Sequence, residues 1–223
     1  MKTIMLLHTV KSMLNEFEKA LRAELDEAVR VYNVYDEFLA IDPSPQGHGY
    51  FTDKNKERLK NHVINGKLMG ADIVVATCST LSGELMSIQN EIGIKIITID
   101  GSMIREAARS CDRITVIATA ASTIPMTCGR LEAMAQNFGK KPNIEVIEVA
   151  PAYEDMKRGN MAAHDRLVLE KAQHVKDCDC IILAQASMAH LKDKIETVTG
   201  IRTLASVNFC IDDIKKELSK MLD

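Results

Sequence analysis

Residues 71–80 read ADIVVATCST. A run of small apolar residues ends in Cys78, set among Thr77, Ser79 and Thr80. An echo stands near the other end of the chain, CDCIILAQAS at 178–187. With Asp72 placed on Asp179, Val74 and Val75 fall on Ile181 and Ile182. Cys78 then falls on Gln185, and Thr80 on Ser187. Both segments read as apolar strands that break at one polar residue and run into a helix. The preceding segments, KERLKNHVINGKLMG and HDRLVLEKAQHVKDC, are loosely alike. The shared aspartate register points to an internal duplication, since α/β sheets use few topologies.

Working outward, short β-branched runs alternate with longer amphipathic ones. TIMLLH (3–8) reads as a strand, and residues 10–28 carry apolar side chains at helical spacing: Val10, Met13, Leu14, Phe17, Leu21 and Leu25. Further strands are expected at VRVYNVY, DIVVAT, IKIITI, RITVIAT, IEVIEV, CIILA and TLASV. Helices are expected near 55–69, 79–90, 102–110, 123–138, 160–176 and 187–198, with a terminal helix last. This alternation predicts an α/β fold with parallel sheets covered on both faces by helices. Two similar halves predict two α/β domains facing each other, with ligands outside the carboxyl ends of the strands. One long irregular stretch, 42–52, is dense in Pro and Gly and is either a lid carrying His48 or a plain connection.

The composition is that of a globular chain, with 46% hydrophobic and 26% charged residues among 223. The net charge of −3 and the lack of a basic cluster argue against nucleic acid as a partner. No apolar segment is long enough to span a membrane. MKTIMLLHTV has too short an apolar run for an export signal and reads as the first strand. Six cysteines in a chain of this size, without an export signal, predict reduced thiols and a cytoplasmic protein. The scattered His and Cys residues match no zinc pattern, so no metal site is expected.

Cys78 is placed where a strand gives way to a helix. The amides of Ser79, Thr80 and Leu81 would lack intrahelical partners there, favouring a thiolate or holding a carboxylate. A buried, inert thiol is the plainer alternative.

ATCST, its echo LAQAS, and three further stretches together resemble the aspartate/glutamate/hydantoin racemase superfamily. The three are IATAASTIPMT (117–127), EVAPAYEDMKRGN (148–160) and SVNFCIDDI (206–214). The resemblance covers nearly the whole chain. It implies two α/β domains related by a pseudo-two-fold axis, with the active site in the cleft between them and no cofactor. The first domain would be 1–100 plus 206–223, and the second 101–205. The family often forms homodimers. Its racemases use two cysteines on opposite sides of a small carboxylic acid, one to remove a proton and one to return it. Cys78 matches the first cysteine, and Gln185 stands in place of the second. A glutamine amide is neither a base nor an acid at neutral pH, so a two-thiol mechanism is excluded by this match.

The expected catalytic groups are therefore Cys78 as base, Gln185 as hydrogen-bond donor, and His8. His8 closes the first strand and either pairs with Cys78 or is a satisfied core residue. Ser79, Thr80, Thr119, Ser122, Thr123, Ala186 and Ser187 are expected to bind substrate, although hydroxyls at such positions also serve as helix caps. Met188 reads as core and His190 as a solvated helix residue. Glu154 and Asp155 read as loop carboxylates. The function expected is a cofactor-independent racemase or epimerase acting next to the carboxylate of a small acid, an amino acid or a hydantoin-like compound. The alternatives are a single-cysteine decarboxylase, a cis–trans isomerase, a hydrolase or lyase on the same scaffold, or a non-catalytic carboxylate-binding protein.

Overall fold

The computed structural model describes residues 1–26, 28–39 and 52–221. The chain divides into two compact units, Met1–Gly101 with Val207–Asp223, and Ser102–Ser206. The first unit holds β1 (Thr3–His8), α1 (Lys11–Arg22), β2 (Arg30–Tyr35), α2 (Asp53–Leu68), β3 (Ile73–Ala76), α3 (Ser82–Ile92) and β4 (Lys95–Thr98). After α4 (Gly101–Ser110), the second holds β5 (Arg113–Ala118), α5 (Thr123–Gln136), β6 (Asn143–Glu148), α6 (Ala150–Lys157), α7 (Met161–Ala172), β7 (Cys180–Leu183), α8 (Lys192–Thr199) and β8 (Thr203–Ala205). The last helix, α9 (Ser206–Lys220), follows; its Lys215 pairs with Glu24 at 2.8 Å and its Glu217 with Lys95 at 3.3 Å.

Each unit contains one four-stranded, fully parallel sheet. The strand orders are β2-β1-β3-β4 and β6-β5-β7-β8, the same winding twice. The registers repeat as well. Ile4 pairs with Ile73 and Met5 with Val74, just as Ile114 pairs with Cys180 and Thr115 with Ile181. These pairings set Ile73 on Cys180, the alignment that the shared aspartate predicts.

The aspartates have a definite task. Asp72 precedes β3; its Oδ2 accepts the Thr3 amide at 2.8 Å, and its own amide donates to Thr3 O. Asp179 precedes β7 in the same way. Its Oδ2 accepts the Asp112 and Arg113 amides at 2.8 and 2.9 Å, and its amide donates to Arg113 O. Each carboxylate thus satisfies amides where a strand begins and fixes which residue starts the ladder. Lys2 and Arg113 add charge to the two sites.

The central strands are apolar because both faces are covered. Every residue of β3 and β7 is fully buried. On one face, Val74 and Ala76 pack with Leu59, Val63, Leu81 and Leu85. Ile181 and Leu183 pack with Val168, Ala172, Met188 and Leu191 in the second unit. The edge strands depart from the expected double cover: in β2 and β6 most residues are exposed or partly so, Tyr32 and Val146 among them. Their alternating sequences, RVYNVY and NIEVIE, suit one buried face at a sheet edge better than two.

Several boundaries also move. The first helix ends at Arg22 rather than 28. The helices expected from Ser79 and near 187 begin as 3₁₀ turns, Ser79–Leu81 and Ala186–Leu191. Glu154 and Asp155 lie in α6 rather than a loop, because Pro151 sits in the first turn of a helix, where its missing N–H is not needed. The stretch 42–51, with His48, lies outside the described residues. No helix among the described residues is long and apolar enough to cross a membrane.

Asp72→Ala leaves the Thr3 amide without its carboxylate. Urea unfolding is expected to show a loss of about 1–3 kcal/mol, with unchanged secondary structure by circular dichroism. Asp179→Ala is expected to lower the midpoint as well.

Candidate active site

The two central strands end in the same way. Beyond β3, the Thr77 amide donates to Leu7 O at 3.0 Å, and Cys78 follows in extended conformation (φ −122°, ψ 122°). Beyond β7, the Ala184 amide donates to Ile117 O at 3.0 Å, and Gln185 follows with φ −117°, ψ 136°. Each residue accepts the amide three positions on, from Leu81 at 3.2 Å and from Met188 at 3.0 Å. Cys78 and Gln185 are therefore geometric counterparts within their units. This pattern corrects one expectation: the Leu81 amide is not open to a ligand, because it closes the turn on Cys78 O.

The side chains at the two positions are held differently. Cys78 is partly buried, and its Sγ shares a hydrogen bond with Thr80 Oγ1 at 3.0 Å. Gln185 is clamped twice on Thr119. Its Oε1 accepts the Thr119 amide at 2.7 Å, and its Nε2 donates to Thr119 Oγ1 at 2.8 Å. One Nε2 hydrogen remains for another acceptor, as does the Thr119 hydroxyl proton. Ser79, Ala186 and Ser187 are partly buried on the two turns. Thr123 points back into its own unit and donates to Ala120 O at 2.8 Å; Ser122 stands at the N-terminus of α5 without forming a side-chain cap. Met188 is wholly buried core.

His8 is fully buried and does not reach for the thiol. Its Nε2 lies 2.9 Å from Asn33 Oδ1, and its Nδ1 lies 2.8 Å from Thr77 Oγ1. Asn33 turns its Nδ2 onto the Glu18 carboxylate, so its Oδ1 must face His8 and the His8 proton sits on Nε2. Burial lowers the His8 pKa. The hydrogen bond to Asn33 and the charge of Glu18 oppose this without restoring it. The neutral ring then accepts the Thr77 hydroxyl through Nδ1. The chain Glu18–Asn33–His8–Thr77 thus ends on the residue before Cys78, and His8 holds the turn rather than forming a thiolate–imidazolium pair.

Sequence reasoning missed several of these partners. Asp36, just past β2, accepts from Arg58 at 2.5 Å, His62 at 2.7 Å and the Phe38 amide at 3.1 Å. Burial by itself would raise its pKa, but His62 and Arg58 hold it low. Ser82 donates to buried Asp100 at 2.8 Å. In the second unit, His190 is tied to both Asp165 oxygens at 2.9 Å, so it is more than a solvated helix residue. Glu154 pairs with Lys157 on the surface at 2.7 Å. Among the described residues, no group of three or more His, Cys, Asp or Glu side chains is placed to hold a metal ion.

The His8 arrangement sets a pH dependence. The folded pKa lies below the ordinary value, about 6.5, so the unfolded chain binds more protons there. The stability this group contributes is present above that pH and is lost as pH falls through the folded pKa. Urea unfolding is expected to show a smaller decline in stability between pH 7 and pH 5 in His8→Gln than in the wild type.

Solved structures with the same fold span the chain. Allantoin racemase from Klebsiella pneumoniae superposes with a TM-score of 0.68 at 17% identity, covering 98% of this chain and 88% of that one. Glutamate racemase from Francisella tularensis, solved with D-glutamate, gives 0.70 at 14% identity, with coverages of 98% and 81%. Unliganded arylmalonate decarboxylase gives 0.56 at 13%, with 97% and 92%. At such identities the likeness carries the fold alone. No curated protein sequence matches the chain. The sequence itself matches Asp/Glu/hydantoin racemase over residues 3–213, and the chain belongs to that family.

Proposed function

We propose that this protein is a cofactor-independent enzyme that moves a proton next to the carboxylate of a small acid, with Cys78 as its base. The observation that carries the reading is the asymmetry of the two equivalent turns. One presents a partly exposed thiol hydrogen-bonded to a hydroxyl; the other presents an amide that cannot transfer a proton. The Cys78 thiolate removes the proton. The resulting enolate needs hydrogen-bond donors at its oxygens. The free Nε2 hydrogen of Gln185, the Thr119 hydroxyl and the hydroxyls of Ser79, Thr80 and Ser187 are the groups we assign to this task. Gln185, clamped twice, holds its donor in a fixed direction, so little reorganisation is required as charge develops.

Racemisation by this route needs a proton donor other than a second cysteine. A second reading is favoured by the same amide: decarboxylation, in which Cys78 protonates the enolate left by loss of carbon dioxide. One acid acting from one face is then sufficient. The fold shared with arylmalonate decarboxylase is compatible with this alternative. The family's small-acid and amino-acid substrates define the panel to be tested.

The test is deuterium incorporation in D2O, followed by NMR, over separate enantiomers of small acids, amino acids and hydantoins. Cys78→Ser is expected to lower exchange by about 10²–10⁴-fold. Exchange with retention identifies a lone base. In that case Gln185→Cys, which supplies a second thiol, is expected to add inversion. Exchange that persists in Cys78→Ser removes Cys78 from the chemistry. The thiol can also be read directly. Burial pushes the Cys128, Cys180 and Cys210 thiols upward. Iodoacetamide is therefore expected to modify Cys78 about tenfold or more faster than these three, with substrate protecting it.

A further inference from the structure

His164 is a polar residue in a place where the fold otherwise puts aliphatic ones. It begins the inward face of α7, four residues before Val168 and eight before Ala172. Val168 and Ala172 pack against Ile181, Leu183 and Met188. α7 leads into β7 and runs opposite to it, so its first turns lie beside the carboxyl edge of the sheet. The bonds from His190, on the 3₁₀ turn that Gln185 opens, to Asp165 fix this placement. His164 therefore stands at the ligand-binding end of its unit.

Its ring is oriented and incomplete. The side chain is wholly buried, and Nδ1 lies 2.8 Å from Asp165 Oδ1. A carboxylate only accepts, so Nδ1 carries the proton. Burial would raise the Asp165 carboxyl, but His164 and His190 outweigh it and hold it below the usual range. Nε2 is buried and has no hydrogen-bond partner. Leaving such an atom unsatisfied is costly.

The first unit carries a related feature, one helix position earlier. The inward face of α2 runs Asn55, Leu59, Val63, with the same spacing of four, and α2 also precedes the central strand. Asn55 is buried, and its Nδ2 likewise has no partner. Each unit thus carries a buried side-chain nitrogen without a partner in the first turn of the helix that precedes its central strand, a polar group that a ligand could complete.

We infer that His164 is a specificity residue whose Nε2 accepts a hydrogen bond from an N–H group on the bound small acid. Asp165 and, through it, His190 are positioning residues that keep the accepting nitrogen turned inward. The inference rests on the reading of the site as one for a small acid, and goes beyond it by naming the group that tells an amino- or ureido-acid from its unsubstituted counterpart.

Calorimetric titration in the Cys78→Ser background, where turnover is removed, tests it. The probes are D- and L-aspartate against succinate, D- and L-glutamate against glutarate, and hydantoin and allantoin. His164→Leu is expected to weaken N–H-bearing probes by about tenfold or more and to leave succinate and glutarate within about twofold. His164→Gln, which keeps an acceptor, is expected to retain part of the preference. A readout without substitution at His164 is its 15N spectrum, in which Nε2 is expected to shift on addition of an N–H-bearing probe. A preference unchanged in His164→Leu, an Nε2 signal unmoved by a probe that binds, or binding by none of the probes overturns the inference. Cys78-dependent exchange with an unchanged preference defeats this inference alone. A His164-dependent preference without exchange defeats the proton-transfer reading alone.

Discussion

A polar side chain is costly in a strand buried on both faces, and the strand that leads into each turn of this protein is of that kind. β3 and β7 are four residues long and have no exposed atom worth counting. Chemistry is consequently displaced to the first positions beyond the ladder, where the chain turns and polar groups find partners. Cys78 and Gln185 occupy those positions because Asp72 and Asp179 set the ladders' starting residues by holding strand-opening amides. A slip of one residue would send every side chain to the opposite face of the sheet. The carboxylates at one edge of each sheet therefore decide which residue meets a ligand at the other.

On this repeated frame the two turns have diverged. The thiol at one turn shares one hydrogen bond with a hydroxyl, while its counterpart amide is locked by two. The support beneath the thiol is extensive: Glu18, Asn33, His8 and Thr77 form a continuous hydrogen-bonded chain with each side-chain orientation dictated by the next. Buried polar networks of this kind fix one geometry because a half-made version leaves costly unpaired atoms. His164 is satisfied on one side and open on the other: Asp165 holds its Nδ1, while its Nε2 has no partner.

Much of this was legible in the chain. The strand–helix alternation, the duplication and the turn position of Cys78 follow from apolar periodicity and from two short segments that align on an aspartate. The family signature lay in the same stretches. The partners of His8 were not legible. Asn33 is 25 residues away and Thr77 is 69, and no local pattern links them. The clamp of Gln185 on Thr119 spans 66 residues. His190 read as a surface residue because its tie to Asp165 joins two helical segments that only the sheet brings together. Glu154 reads as a loop residue from the sequence, whereas it lies in a short helix with Pro151 in its first turn.

Most of the elements, their doubling and the thiol just beyond the carboxyl end of a central strand can be read from the sequence. These depend on local hydrophobic pattern and residue chemistry, which a linear text carries in full. That His8 faces Asn33 and Thr77 instead of Cys78, that Gln185 is clamped on Thr119, and that His164 keeps an open nitrogen emerge from the folded chain alone. Each of these is a question of which distant groups are left without water and must satisfy one another. Burial answers it, and burial is a property of the folded chain.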